Sequence, residues 1–422
     1  MFKASNKAGR SSSASFHIRL AVALLCAFAV TACTRASSDS PNPATSAAKS
    51  YVGSAACQSC HRDIYDRWKD TLMANVIRDP RKQPHAILAD FSTPNPLVTF
   101  TKEDIAFTYG TKWKQRYFTK VGDDYFVFPA QWDVRNKTWR EYYVKPGTDW
   151  WTSVYPADQM QRPTSTLCDG CHSVNFNIQT KTPTEWNVGC EKCHGAGGAH
   201  VADQKAASIV NPSKLDDVRA DDVCIQCHSQ GQPRMNPIEG RYYDWPVGYE
   251  AGERLSDVWK LEEHHLGKQT FTHWADGTAH KNRMQGNDYV QGQMYRKGVR
   301  CYACHDTHGT KHDALLRLPG NAVCTQCHSS VLQPGPRGSL TFHTQHAENS
   351  EGSKCVSCHM PAIQQTIANV SVRSHTFKFI SPALTEREGV PNPCISCHKD
   401  KSNQWALDAL NKWPSVSPWR VE

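Results

Sequence analysis

"CDGCHSVNFNIQTKTPTEWNVGCEKCHGAGGAH" (Cys168–His200) carries Cys-x-x-Cys-His twice, and the same pattern recurs along the chain. Of 18 cysteines in 422 residues, sixteen fall into eight pairs of identical spacing. They are Cys57/Cys60, Cys168/Cys171, Cys190/Cys193, Cys224/Cys227, Cys301/Cys304, Cys324/Cys327, Cys355/Cys358 and Cys394/Cys397, called motifs 1 to 8 below. Each pair is followed at once by a histidine: His61, His172, His194, His228, His305, His328, His359 and His398. Zinc sites and redox thiol pairs use Cys-x-x-Cys, but neither needs histidine next in every copy. Covalent attachment of a c-type haem does: two thioethers fix the porphyrin, and the adjacent imidazole becomes the proximal iron ligand. Eight chance histidines out of eight would have a probability on the order of 10⁻¹⁰. The pattern therefore implies eight covalent c-type haems.

Two cysteines remain. Cys26 lies in the apolar stretch "LAVALLCAFAV" (Leu20–Val30), behind a basic segment with Lys3, Lys7, Arg10 and Arg19. This reads as a secretory signal over residues 1–32, too short to span a bilayer. Cys33 ends "VTAC", which resembles a bacterial lipobox, so Cys33 is expected to be lipidated; the alternative is ordinary cleavage near the same place. "TRASSDSPNPATSAAKS" (Thr34–Ser50) then reads as a flexible tether. The expected location is the periplasm or cell surface, with outer-membrane anchoring favoured by threonine after Cys33.

The formal charge of +8 does not indicate a nucleic-acid partner. The signal contributes four of the cations and no acids. Each oxidised bis-axial haem adds about one negative charge, so the mature holoprotein is expected to be acidic.

With fewer than about fifty residues per motif, porphyrins must replace much of an ordinary apolar core. The expected fold is mainly α and irregular, packed around haems, with a small antiparallel β element near residues 105–145. Ile64, Trp68, Leu72 and Val76 in "DIYDRWKDTLMANVIRD" (Asp63–Asp79) recur at helical spacing. "QRYFTKVGDDYFVFPAQWDVRNKTWREYY" (Gln115–Tyr143) alternates aromatics between turn signals, as antiparallel strands do. One domain over 51–422 is expected, comprising motif 1 with the β insert (51–167), motifs 2–4 (168–228), an irregular insert (229–300), and motifs 5–8 (301–422). That last part should end in a helix within "DKSNQWALDALNKW", capped by Ser402. "VGCEKCHGAGGAH" with "VCIQCHS" also echoes "VRCYACHDTHG" with "VCTQCHS", an internal repeat.

A haem that only transfers electrons wants a second axial ligand. Eleven histidines outside the motifs and the signal can supply it: His85, His200, His264, His265, His273, His280, His308, His312, His343, His346 and His375. The favoured distal ligands are His200, His308, His280, His346 and His375, the first two in echoed positions. His343 competes with His346, and Met73 is a further candidate near motif 1, set against simple packing beside Leu72.

"YVGSAACQSCHRDIYDRW", "GCEKCHGAGGAH", "CHMP" (Cys358–Pro361) and "VRSHTF" (Val372–Phe377) resemble the multihaem cytochromes that include cytochrome c-554. Hydroxylamine oxidoreductase and pentahaem nitrite reductase are more distant members. The resemblance implies stacked haem pairs on a mainly helical scaffold and distal histidines at His200, His308 and His375. It often places a histidine where Met73 stands. The lysine of the nitrite reductases is missing, since all eight motifs end in histidine. Nor does any of Tyr142, Tyr143, Tyr242 and Tyr243 stand out as the crosslinking tyrosine of hydroxylamine oxidoreductase. The leading expectation is electron transfer between redox partners, cytochromes or a quinol-linked reductase, in isolation or within an oligomer or conductive assembly. The alternative is an oxidoreductase with one open haem acting on a small nitrogen or sulfur compound such as nitrite, hydroxylamine or tetrathionate, with Arg116 or Arg135 holding the anion.

Overall fold

The aromatic alternation of Gln115–Tyr142 closes into the largest regular element, a five-stranded antiparallel sheet in sequential order. Its strands are β1 (Ile77–Arg78), β2 (Phe107–Tyr109), β3 (Lys114–Val121), β4 (Asp124–Asp133) and β5 (Thr138–Glu141). The computed structural model describes residues 49–142, 163–332 and 339–414. The expected signal, the lipidation site Cys33 and nearly all of the tether lie outside these residues, as does Tyr143. The sheet is wider than the alternation alone indicated, because β1 and β2 are too short to show a period of two.

Both faces of the sheet are used. Tyr117, Ala130, Trp132 and Trp139 pack under Ala89, Phe100 and Ile105 from the long β1–β2 connection. On the other face Phe107, Tyr109, Phe118 and Val127 meet Cys168 of motif 2 and Trp186. Adjacent Tyr117 and Phe118 thus serve opposite cores, as the pleat requires. The β3–β4 register shifts between Arg116 and Phe118, opposite Gln131 and Val127. Pro129, which has no N–H to give the ladder, sits in that irregularity.

Elsewhere the described residues form helices of three to nine residues and two-stranded ribbons. The ribbons are β6 (Ser173–Val174) with β7 (Glu185–Trp186), β8 (Gly231–Pro233) with β9 (Trp259–Leu261), and β10 (Ala362–Ile367) with β11 (Val370–Arg373). The helix expected over Asp63–Asp79 covers only Arg62–Trp68. Beyond it, the Asn75 amide donates to the carbonyls of Lys69 (2.6 Å) and Thr71 (2.9 Å), and the Thr71 hydroxyl accepts from the Ala74 N–H. Such local side-chain bonds compete with the helical ladder and end it. The C-terminal helix runs Asn403–Asn411, with the Ser402 hydroxyl accepting from the Trp405 N–H at 3.1 Å. Among the described residues no helix is long and apolar enough to cross a membrane.

Candidate haem sites

Four of the motifs adopt the local form that haem attachment needs. Single-turn helices span Cys190–His194, Cys301–Cys304, Cys355–His359 and Pro393–Cys397. A helical turn sets cysteines i and i+3 on one face with the next histidine beside them. All sixteen motif cysteines are free of disulfides.

Identical spacing does not give the cysteines identical cover. Cys171 is buried, most of the others are half-buried, and Cys60, Cys327 and Cys397 are exposed. The attachment expected at Cys327 is therefore not enclosed by polypeptide. At motif 6 the helical turn Ala322–Thr325 carries Cys324 but ends before Cys327, and His328 beside it is exposed as well. Cys327 does lie near Cys304 of motif 5.

Five motif histidines face a second imidazole. His61 stands 6.2 Å from His200 between ring centres, with an interplanar angle of 20°. His194 faces His308 (6.1 Å, 21°), His305 faces His375 (6.5 Å, 25°), His359 faces His343 (6.2 Å, 11°) and His398 faces His346 (6.2 Å, 37°). An iron about 2 Å from each ring nitrogen, with the nitrogen about 1.1 Å from its ring centre, holds two axial imidazoles roughly 6.2 Å apart. The pairs therefore fit a six-coordinate haem at motifs 1, 3, 5, 7 and 8.

Hydrogen bonds at the other ring nitrogen orient these imidazoles. The Nδ1 atoms of His194, His200, His305 and His375 contact the backbone carbonyls of Val210 (2.8 Å), Lys205 (2.9 Å), Ala314 (2.8 Å) and Arg373 (3.1 Å). His346 Nδ1 contacts the Thr344 carbonyl at 2.5 Å, and His308 Nδ1 the Asp306 carboxylate at 3.1 Å. An Nδ1–H donated to an oxygen leaves Nε2 as the free lone pair, aimed at the metal.

His200, His308, His346 and His375 are thus brought opposite motif histidines. His343 and His346 do not compete, because each faces a different motif. Met73 is not needed at motif 1, where His200 fills the opposed position. His280 is placed otherwise: its Nε2 lies 2.9 Å from the Thr270 carbonyl, so the atom that would bind iron is engaged by backbone.

The motifs are joined by a repeated contact that sequence reading missed. The N–H of the first cysteine of motif 3, Cys190, donates to the Ser54 hydroxyl at 2.9 Å. Cys301 of motif 5 donates to Asp221 at 3.0 Å, and Cys355 of motif 7 to Asn321 at 2.9 Å. Ser54, Asp221 and Asn321 each stand three residues before the first cysteine of motifs 1, 4 and 6. In all three joints the first cysteines come close together: Cys57 and Cys190, Cys224 and Cys301, and Cys324 and Cys355. A fourth contact sets Cys171 of motif 2 against Cys227 of motif 4, whose Sγ lies 3.7 Å from the Cys171 carbonyl. The polar residue at this offset was visible in sequence, but nothing there named its distant partner.

Among the described residues, no second imidazole stands at the iron-spanning distance from His172, His228 or His328. Motif 2 is distinctive. The Nδ1 of His172 is buried without a partner, and the Tyr109 ring stacks on its imidazole at 5.3 Å. Burial first, then Arg283, Arg116 and Lys192, push its pKa down to about 4. The Tyr109 hydroxyl donates to Asp169 (2.6 Å), which also accepts from Thr164 (2.7 Å). Arg116 lies over the Tyr142 ring at 4.2 Å, whereas Arg135 is exposed in the β4–β5 turn.

The family described as "Cytochrome c554 and c-prime" matches residues 146–195, and the "Doubled CXXCH motif" family matches 293–333. The dissimilatory sulfite reductase MccA of Wolinella succinogenes is 22% identical over 74% of this chain. The chain spans about half the length of that curated relative. The crystal structure of outer cell wall cytochrome OcwA is similar with a TM-score of 0.67 at 22% identity, covering 86% of each chain. An undecahaem cytochrome from the S-layer of Carboxydothermus ferrireducens covers 86% of this chain and 60% of its own, at 17% identity and a TM-score of 0.49. The likeness to OcwA establishes the fold as that of a multihaem cytochrome.

Proposed function

We propose that this multihaem c-type cytochrome holds eight haems, one at each motif, and carries electrons between redox proteins outside the cytoplasm. The five opposed imidazole pairs carry this reading. Bound haem supplies a reversible one-electron ferric/ferrous couple. Two imidazoles at each of five motifs leave no coordination position for substrate there. The joints hold neighbouring attachment points together, and cysteine proximity extends them into one series, motifs 1, 3, 4, 5, 6, 7 and 8, with motif 2 beside motif 4. Cys60 and Cys397, in the motifs at the two ends, and Cys327, within the series, are exposed. These are three points at which cytochromes or a quinol-linked reductase would meet the haems. The signal, a lipidated Cys33 and the tether would place the protein at the periplasmic or outer cell surface. The outer cell wall setting named for OcwA agrees with this.

Motif 2 supports a second reading, an oxidoreductase acting on a small anion at one haem. It rests on His172, whose Nδ1 lacks a partner and which lies near Arg116, Arg283 and Lys192. The relative named a sulfite reductase adds sulfite to nitrite, hydroxylamine and tetrathionate as compounds to assay.

A pyridine haemochrome assay should give eight haems per chain, and a lower number would refute the cofactor count. Carbon monoxide added to the dithionite-reduced protein should leave at least about five eighths of the Soret absorbance unmoved. A larger shift would contradict the imidazole pairs. A shift of about one eighth that is altered by His172→Gly would favour the second reading.

A further inference from the structure

We infer that Asp306 is a tuning residue that makes the haem at motif 3 more reducing than its counterpart at motif 1. The inference rests on the bis-histidine reading of those two motifs.

The argument comes from the internal repeat. His200 and His308 occupy echoed positions after motifs 3 and 5, and each caps the haem of an earlier motif, facing His61 and His194. Their Nδ1 partners differ. His200 gives its Nδ1 proton to a neutral acceptor, the Lys205 carbonyl. His308 gives its own to the Asp306 carboxylate two residues before it, where Gly198 stands before His200. Among the oriented imidazoles above, His308 alone has a charged acceptor. A carboxylate on Nδ1 draws the proton away from the ring and raises the basicity of Nε2, which favours ferric over ferrous iron.

The carboxylate is itself restrained. Its second oxygen accepts from Arg67 at 3.2 Å, and Arg67 also donates to the Gly309 carbonyl at 2.7 Å. Gly309 has φ +108, and a Cβ there would lie 2.5 Å from the Arg67 carbonyl oxygen, so the loop closes tightly on the helix after motif 1. The guanidinium competes with the imidazole for the same carboxylate. Removing Asp306 and removing Arg67 should therefore shift the haem in opposite directions.

The test is potentiometric titration of the full holoprotein, one electron per haem, with single haems followed by EPR. Asp306→Asn keeps an acceptor but loses the charge. One low-spin haem should then show about a tenfold higher ferrous-to-ferric ratio at fixed potential, equal to about 59 mV for a one-electron couple. Its g-values should move as well. Arg67→Gln, which can still donate to Gly309, should lower the ratio of the same haem. The inference is overturned if both variants leave every midpoint within about twofold of wild type, or if the midpoint moves while the g-values stay, since charge alone would do that. His308→Ala should open one haem to carbon monoxide. If it does not, the bis-histidine reading of motif 3 fails and the inference falls with it.

Discussion

Asp288 shows how one residue can place a distant ligand. Its carboxylate is fully buried. One oxygen accepts from the Ala279 N–H (2.8 Å), and the other from the Ser374 hydroxyl (2.6 Å), the His375 N–H (2.9 Å) and the Gln364 amide (2.8 Å). Three separate segments thus converge on it, and one of them sets His375 opposite His305. An asparagine cannot accept all four bonds, and an unsatisfied buried donor costs about 1–3 kcal/mol. Asp288→Asn should lower unfolding stability by about 2–4 kcal/mol in a denaturant titration followed by tryptophan fluorescence. A loss below about 1 kcal/mol would mean that the segments hold together without it.

At the scale of elements, the sheet carries a hydrophobic core on each of its faces. Trp132 and Trp139 pair directly across β4 and β5, with ring centres 5.4 Å apart, and the Trp139 indole donates to the Asp90 carbonyl at 3.1 Å. Removing a buried tryptophan costs about 3–5 kcal/mol, so Trp139→Ala should loosen the sheet and the connection above it. The opposite face, toward Cys168, should keep its packing. Limited proteolysis should therefore cut first within residues 79–106, while haem content stays at the wild-type level. Loss of haem along with the sheet would show the two to be one cooperative unit. The joints at Ser54, Asp221 and Asn321 work at the same scale. Asp221 also accepts from Arg300 at 3.0 Å and is almost wholly buried, so it ties the helix Asp217–Ile225 to motif 5 by charge as well as by its bond to Cys301.

At the scale of the whole molecule, the described residues outside the sheet form short helices and two-stranded ribbons. Such elements bury little apolar surface against one another, and helices this short are marginal without tertiary support. Haem attachment is therefore expected to be a folding requirement. Chain made without haem attachment should show neither a cooperative unfolding transition nor near-ultraviolet circular dichroism. A sharp transition in the haem-free chain would refute this.

The eight Cys-x-x-Cys-His motifs were legible in the residues alone, because thioether and proximal-ligand chemistry needs fixed neighbours and so leaves a local pattern. Their cover was not: Cys171 and Cys327 hold the same place in their motifs, yet one is buried and the other exposed, since cover comes from segments elsewhere in the chain. The β3–β5 hairpins and the Ser402-capped helix were legible because pleat, turn and cap are local. The partners of the motif histidines were only partly so. His200 and His308 could be picked from the repeat, but the separate partners of His343 and His346 could not, nor could the Thr270 carbonyl beside the His280 Nε2. A distal ligand is chosen by where two remote segments meet, and a single histidine looks alike whether it faces a porphyrin space or a backbone carbonyl. The tertiary structure alone decided which imidazoles oppose each other, which motifs touch, and that Asp306 lies between His308 and Arg67. Each of these depends on contacts between residues far apart in the chain, which no local spacing encodes.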